Sequence, residues 1–260
     1  MKVRMYNVGF GDCFCLRDRK KSLLVDFGTN NSRIEGRPRR EIFDVIISDL
    51  STIKSKNLLL THFHMDHLSG LLYMMKKKDI SVDFGKIYLP DVFSKKEMSR
   101  TLVLLLLADL LKESGLPSRQ VSLFALVDAL LENKQNVELL SRGKLFENKY
   151  QALWPDTDVI RKETDEVYNT ICEDGKFKEV MDVLLEFAEK LRLIVWSMTA
   201  EGNKPAETVE KETDLTASEL TEQPEVRQKI IRAYVYEREF RRIKALPDFK
   251  KLLAWLNENQ

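Results

Sequence analysis

The chain has 260 residues, 43% of them hydrophobic, enough for one large domain or two small ones around a sizeable core. Lys and Arg number 42 against 41 Asp and Glu, so the formal net charge of +1 excludes a global pull toward nucleic acid or an anionic membrane surface, though not a local patch. Three cysteines (Cys13, Cys15, Cys172) are an odd count, too few for a disulfide framework, and fit a reducing compartment. With no signal peptide and no apolar run long enough to span a bilayer, the expectation is a soluble cytoplasmic protein with no membrane partner.

In chain order, "KVRMYNV", "DCFCLR" and "SLLVDFG" read as three strands, the second apolar on both faces as in a covered layer, with "RDRKK" as the polar hairpin turn before the third. Residues 39–50 repeat apolar side chains at helical spacing. "NLLLT" and "GKIYLP" read as short buried strands. After residue 92 helices are expected at about 95–114, 119–134, 164–198, 225–245 and 248–258, with "YQALWP" (150–155) as one remaining strand. In the 164–198 helix Val180, Leu184, Phe187, Leu191 and Ile194 form one stripe; Val226 to Ile243 form another in the 225–245 helix. These stripes suit an intramolecular helical hairpin, a protein partner or self-association. Between them Thr199–Pro224 carries seven acidic and two basic residues without apolar periodicity, and is expected to be a mobile acidic linker.

All three histidines lie within "LLLTHFHMDHLSG": His62, His64 and His67. In an extended segment His62 and His64 point the same way and can grip one ion; a turn after Met65 brings Asp66 and His67 to a second. Two ions about 3.5–4 Å apart would clamp a bridging water. Imidazole with carboxylate suits zinc, or manganese or iron, and zinc lowers the pKa of its water toward ~7, giving a hydroxide nucleophile.

"THFHMDHLSG" resembles the HxHxDH signature of the metallo-β-lactamase-fold hydrolases. "NVGFGDCFCLR" and "SLLVDFG" resemble the opening strands of that superfamily, most closely the hydrolase domains of bacterial DNA-uptake (competence) proteins. The resemblance is specific over residues 1–91 and weak from there to 156. It implies an α/β fold, an αββα sandwich with the metal site at one edge of its sheets. It also implies that His62 and His64 bind one metal and Asp66 and His67 the other, with Asp66 the expected catalytic residue. Asp26 would order the loop from beside the site without touching metal. Asp12 fits the family's opening turn and equally a simple turn-forming aspartate. Gly70 is expected to let the chain turn into the helix behind the site.

The superfamily draws two further histidines and a bridging aspartate from later segments, whereas this chain has no histidine after His67. With two protein ligands per ion, little activity is expected of this chain by itself. One account is that the sequence holds the N-terminal half of a longer sandwich (1–156) followed by a helical region (157–260). The other is a degenerate relative whose helical region binds a partner. The expected activity is metal-dependent hydrolysis of a phosphoester or nucleic acid; no substrate-binding residue is assigned. Two weaker candidates remain. Cys13 and Cys15 could bind metal but read better as small core residues. The arginines of "GRPRR" (36–40) could meet an anionic substrate, as could those of "RQKIIRAYVYEREFRR".

Overall fold

The computed structural model describes residues 1–18, 21–77, 83–113, 123–133, 135–173, 175–199 and 240–258. Most of the expected acidic linker and of the 225–245 helix, and the tip of the "RDRKK" turn, lie outside these. The chain forms two compact units, Met1–Pro90 with Arg119–Leu140, and Asp91–Ser118 with Ser141–Gln260.

The first unit opens with β1 (Lys2–Met5), β2 (Phe14–Asp18) and β3 (Lys21–Val25), an antiparallel meander. A two-stranded ribbon follows, β4 (Arg33–Ile34) and β5 (Arg37–Pro38), then α1 (Arg39–Ser51), β6 (Ser55–Leu59), α2 (Met65–Lys76) and β7 (Ile87–Pro90). After α3 (Ser99–Glu113), which belongs to the second unit, α4 (Leu123–Glu132) and β8 (Val137–Leu140) complete the first. The sheet order is β1-β2-β3-β6-β7-β8, and β3, β6, β7 and β8 run parallel. A parallel register needs a crossover between strands, which α1 provides from β3 to β6, α2 from β6 to β7, and the segment holding α3 and α4 from β7 to β8.

Directly opposed residues build the core. Cys15, Leu24, Leu58, Ile87 and Val137 form one row across five strands, and none is more than 1% exposed. Each large aliphatic side chain in such a row contributes about 1.5–3 kcal/mol by leaving water. Cys13 and Cys15 are both buried, and burial pushes the Cys13 thiol well above its usual range, as for inert core residues rather than metal ligands. Behind the sheet α1 packs on α2 and α2 on α4.

The second unit continues with the short pair β9 (Leu145–Phe146) and β10 (Tyr150–Gln151), then α5 (Thr157–Cys172), α6 (Lys178–Ser197), α7 (Phe240–Ala245) and α8 (Phe249–Glu258). The stripe Val180, Leu184, Phe187, Leu191 and Ile194 is buried as its spacing predicts, and α6 packs along α3. Asp156 caps α5 by accepting hydrogen bonds from the N–H groups of Asp158 and Val159.

The fold is the expected mixed α/β one with a helical region, consistent with the sandwich type that the resemblance implies; among the described residues no second sheet exceeds two strands. Four expectations are corrected. The 164–198 helix is two helices, α5 and α6, because Gly175 at φ +64 sits in the break. "VELL" at 137–140, within a span read as helical or irregular, is strand β8, paired to β7. "YQALWP" keeps two strand residues of six. Gly70 lies inside α2, where a Cβ would come within 2.5 Å of the Phe27 ring; its role is close approach, not a turn. No helix among the described residues is long and apolar enough to cross a membrane.

Candidate metal centre

The C-terminal ends of parallel strands β3 and β6 lie side by side, Val25 opposite Leu59. In open sheets this end is where the chain leaves the ladder and can present side chains to a ligand. β3 runs into Asp26, and β6 runs through Leu60 and Thr61 into the histidine stretch. Asp26 takes φ +53, costly for a residue with a Cβ, and three bonds hold it there. Its N–H donates to the Leu59 carbonyl (2.8 Å), and its carboxylate accepts from the Thr61 N–H (2.8 Å) and hydroxyl (2.7 Å).

The loop closes on itself through backbone. The His67 N–H donates to the His64 carbonyl at 3.0 Å, starting α2 at Met65 and setting Asp66 in its first turn. A carboxylate there is favoured by the positive end of the helix dipole. The Phe27 N–H donates to the His67 carbonyl (2.7 Å), and the Gly70 N–H donates back to the Phe27 carbonyl (2.8 Å). Phe63 is buried, as its alternation with the histidines requires, whereas Met65 is half-buried.

Side chains then converge. Donor atoms of His62, Asp66 and His67 all lie within 4.8 Å of one another. The His62 ring centroid is 3.7 Å from that of His67 and 4.7 Å from that of His64. The His67 Nε2 lies 3.7 Å from Asp66 Oδ2. Three of the four residues singled out by spacing share this donor group; His64 is outside it, its ring lying beside that of His62. Asp12, equally well read as a turn former, also reaches the cluster: its Oδ2 is 3.7 Å from His67 Nδ1, and Asp12, Asp26 and His67 form a second group of donors.

Counting protons assigns the tautomers. Asp26 Oδ2 lies 3.0 Å from His67 Nδ1, so the ring donates Nδ1–H and leaves the Nε2 lone pair toward Asp66. The single hydroxyl proton of Thr61 goes to Asp26. At 3.0 Å from His62 Nδ1, the Thr61 oxygen can therefore only accept, and His62 also keeps its proton on Nδ1 with Nε2 free. One carboxylate orients two imidazoles, directly and through Thr61. Thr61 is the residue that sequence reasoning passed over; its place before His62 was the available signal.

The same partners split the histidines. Burial and the neighbouring imidazoles hold His62 below its ordinary value. Burial opposes charge on His67 too, but the Asp26 hydrogen bond and the charges of Asp26, Asp66 and Asp12 outweigh it and raise its pKa.

Two or more free imidazole nitrogens with a carboxylate within one coordination sphere fit a divalent ion of the zinc, manganese or iron type. Among known families, residues 6–91 match the model of the Metallo-beta-lactamase superfamily, a span holding the whole cluster. Among individual proteins, the Endoribonuclease YSH1 of Mycosarcoma maydis is 32% identical over 77 residues. That stretch is 30% of this chain and 8% of the relative's length. No solved structure matches.

Proposed function

We propose that the 6–91 domain is the centre of a metal-dependent hydrolase that cleaves a phosphodiester of nucleic acid, RNA in the first place. What carries the reading is the convergence of His62, Asp66 and His67 donors, within 4.8 Å of one another, at the ends of two parallel strands. The relative's name supports RNA. The likeness of the opening strands to DNA-uptake hydrolase domains supports the same bond class.

A divalent ion bound there, zinc by donor chemistry with manganese or iron as alternatives, would polarise a phosphoryl oxygen and acidify water near neutral pH. His62, Asp66 and His67 offer it three protein donors, the number a catalytic zinc site uses, where pairing by sequence gave each ion two. His64 stands beside them for the second ion that the resemblance implies. Asp66, at the N-terminus of α2, would hold the ion through one carboxylate oxygen and leave the other to accept the proton of the attacking water. Asp26 and Thr61 fix the rings, so little reorganisation is left for the reaction.

The test pairs metal content by elemental analysis with turnover of an aryl phosphodiester, on the full chain with added Zn²⁺ or Mn²⁺. Bound metal and turnover, both lost in His64→Ala and Asp66→Ala, support the reading. Turnover that survives both substitutions overturns it. Metal retained without turnover favours a degenerate relative that works through its helical region.

A further inference from the structure

Phe10 is 71% exposed at the tip of the loop between β1 and β2. The loop is nonetheless fixed. The Phe10 N–H donates to Asn31 Oδ1 at 2.7 Å, and its carbonyl accepts from Asn30 N–H (2.9 Å) and the Thr29 hydroxyl (3.2 Å). Two residues on, Asp12 approaches His67 to 3.7 Å. A phenyl ring on a fixed backbone thus faces water two residues from Asp12 of the candidate metal centre, where the core does not require it.

The β4–β5 ribbon lies against the same loop. A Cβ on Gly9 would meet Ile34 at 3.3 Å, and Asn7 Nδ2 donates to Glu35 Oε1 at 2.8 Å. The ribbon turns through Glu35 (φ +50) and Gly36 (φ +79), the type I′ geometry that holds a two-residue hairpin in one shape. Arg37 is directly opposite Ile34, so both stand on the face turned to the Phe10 loop. Residues 33–41 hold four arginines and two glutamates, a balance of 4 − 2 = +2 in a chain whose total is +1. The four arginines are exposed, and Arg37 and Arg39 have no ion-pair partner among the described residues.

We infer that the Phe10 tip and the β4–β5 arginines form a substrate-strand surface for single-stranded RNA, with a base stacked on the phenyl ring and flanking phosphates on the guanidinium groups. The bond to be cut follows from the hydrolase reading above and rests on it; the surface itself rests on Phe10 and the arginines. A ring held outside the core offers a flat apolar face, and an unpaired base is its complement. In a duplex the base faces are already stacked, so only the phosphate contacts would remain. A small phosphoester needs neither the ring nor a ribbon of arginines.

The experiment measures binding by the full chain in EDTA, so that cleavage does not intervene. Fluorescence anisotropy compares a labelled short oligouridylate with a duplex RNA of the same length. The single strand should bind at least about tenfold tighter. Phe10→Leu, apolar but unable to stack, should weaken strand binding about fivefold or more, while Phe10→Trp preserves it. Replacing Arg37 and Arg39 by Gln should lower the slope of log affinity against log salt by about 0.7 per charge removed. Equal binding of strand and duplex, or wild-type affinity in Phe10→Leu, overturns the inference. Turnover of the aryl phosphodiester by the unaltered chain separates the two claims. Turnover without strand preference removes this surface alone, and strand preference without turnover removes the hydrolase reading alone.

Discussion

Two regions of the molecule concentrate ionisable side chains, and they use them in opposite ways. In the second unit Lys96, Arg100 and Arg161 line a cavity of about 370 Å³ together with Glu97, Asp165 and Glu189. There the charges answer one another: Arg100 meets Asp165 at 2.8 Å, and Lys96 meets Glu189 at 3.8 Å. At the ends of β3 and β6 the pairing is one-sided. Asp26 takes up Thr61 and the Nδ1–H of His67, so the Nε2 lone pair of His67 is left toward Asp66 and that of His62 is left free. The difference shows that charge density does not make a binding site. A site arises where hydrogen bonds behind the donors leave their lone pairs aimed at one point.

The largest effect should come from removing the packing under that arrangement. Phe27 is fully buried, meets Phe43 edge-on at 5.2 Å and fills the space against Gly70. Phe27→Ala should cost about 3–5 kcal/mol in denaturant unfolding, because the cavity adds to the lost transfer energy. A loss below about 1 kcal/mol would mean that the strand-end loop does not depend on this core.

Next in size is Asp26→Asn, which keeps the shape but not the acceptor. An amide group can turn its NH₂ toward His67 Nδ1, forcing the other tautomer and spoiling the free Nε2. Zinc affinity, measured by chelator competition, should fall about 10- to 100-fold. Thr61→Val removes the relay to His62 together with the hydroxyl bond to Asp26, but leaves the Thr61 N–H bond to Asp26 and the direct Asp26–His67 contact, so a fall of less than about tenfold is expected. In that variant the ¹⁵N shifts of His62 should report a mixture of tautomers while those of His67 stay fixed. An unaltered His62 would show that Thr61 does not set its tautomer.

With three imidazoles in the chain, proton NMR of the metal-free protein can follow each one. His67 should titrate above, and His62 below, the ordinary value of ~6.5. For His67 the raised folded-state value means a stabilising contribution fully present below ~6.5 and lost as pH rises through that raised value. His62 works the other way: its lowered value costs stability as pH falls below ~6.5. Metal uptake near pH 6.5 should then expel a proton from His67 and little from His62, measurable by calorimetry in buffers of different ionisation enthalpy. Titration of the two in the reverse order would contradict the orienting role of Asp26.

How far the sequence discloses these features depends on whether a residue's partner is near in the chain. The approach of His62, Asp66 and His67 was legible because they lie within six positions, across a strand end and one helical turn. The buried stripe of α6 was legible for the same reason. Strand β8 was not: "VELL" is short, and its place is decided by pairing to β7, some fifty positions earlier in the chain. Asp12 has two equally good local readings, and only Asp66 and His67, far along the chain, choose between them. The β4–β5 ribbon was missed because Glu35-Gly36 is not one of the common turn pairs, although Gly36 is what allows the turn.

The smallest effect is expected in the charged cavity of the second unit, and it tests the comparison from the other side. Arg100 and Asp165 are 40% and 35% exposed at the side chain, so water screens their attraction and their entropy of ordering offsets much of it. Arg100 also lies over the Tyr168 ring at 4.8 Å, a contact that does not need Asp165. Burial, aided by Cys172 and Asp182, pushes the Tyr168 phenol up to about 12, so it stays neutral and its ring remains available at every ordinary pH. Asp165→Asn should therefore cost no more than about 1 kcal/mol in denaturant unfolding. It should also leave Arg100 on the ring, visible as unchanged ring-current shifts. A cost above about 2 kcal/mol would show a desolvated, cooperative ion network. The cavity would then be a built arrangement like the strand ends, and the contrast between the two regions would fail.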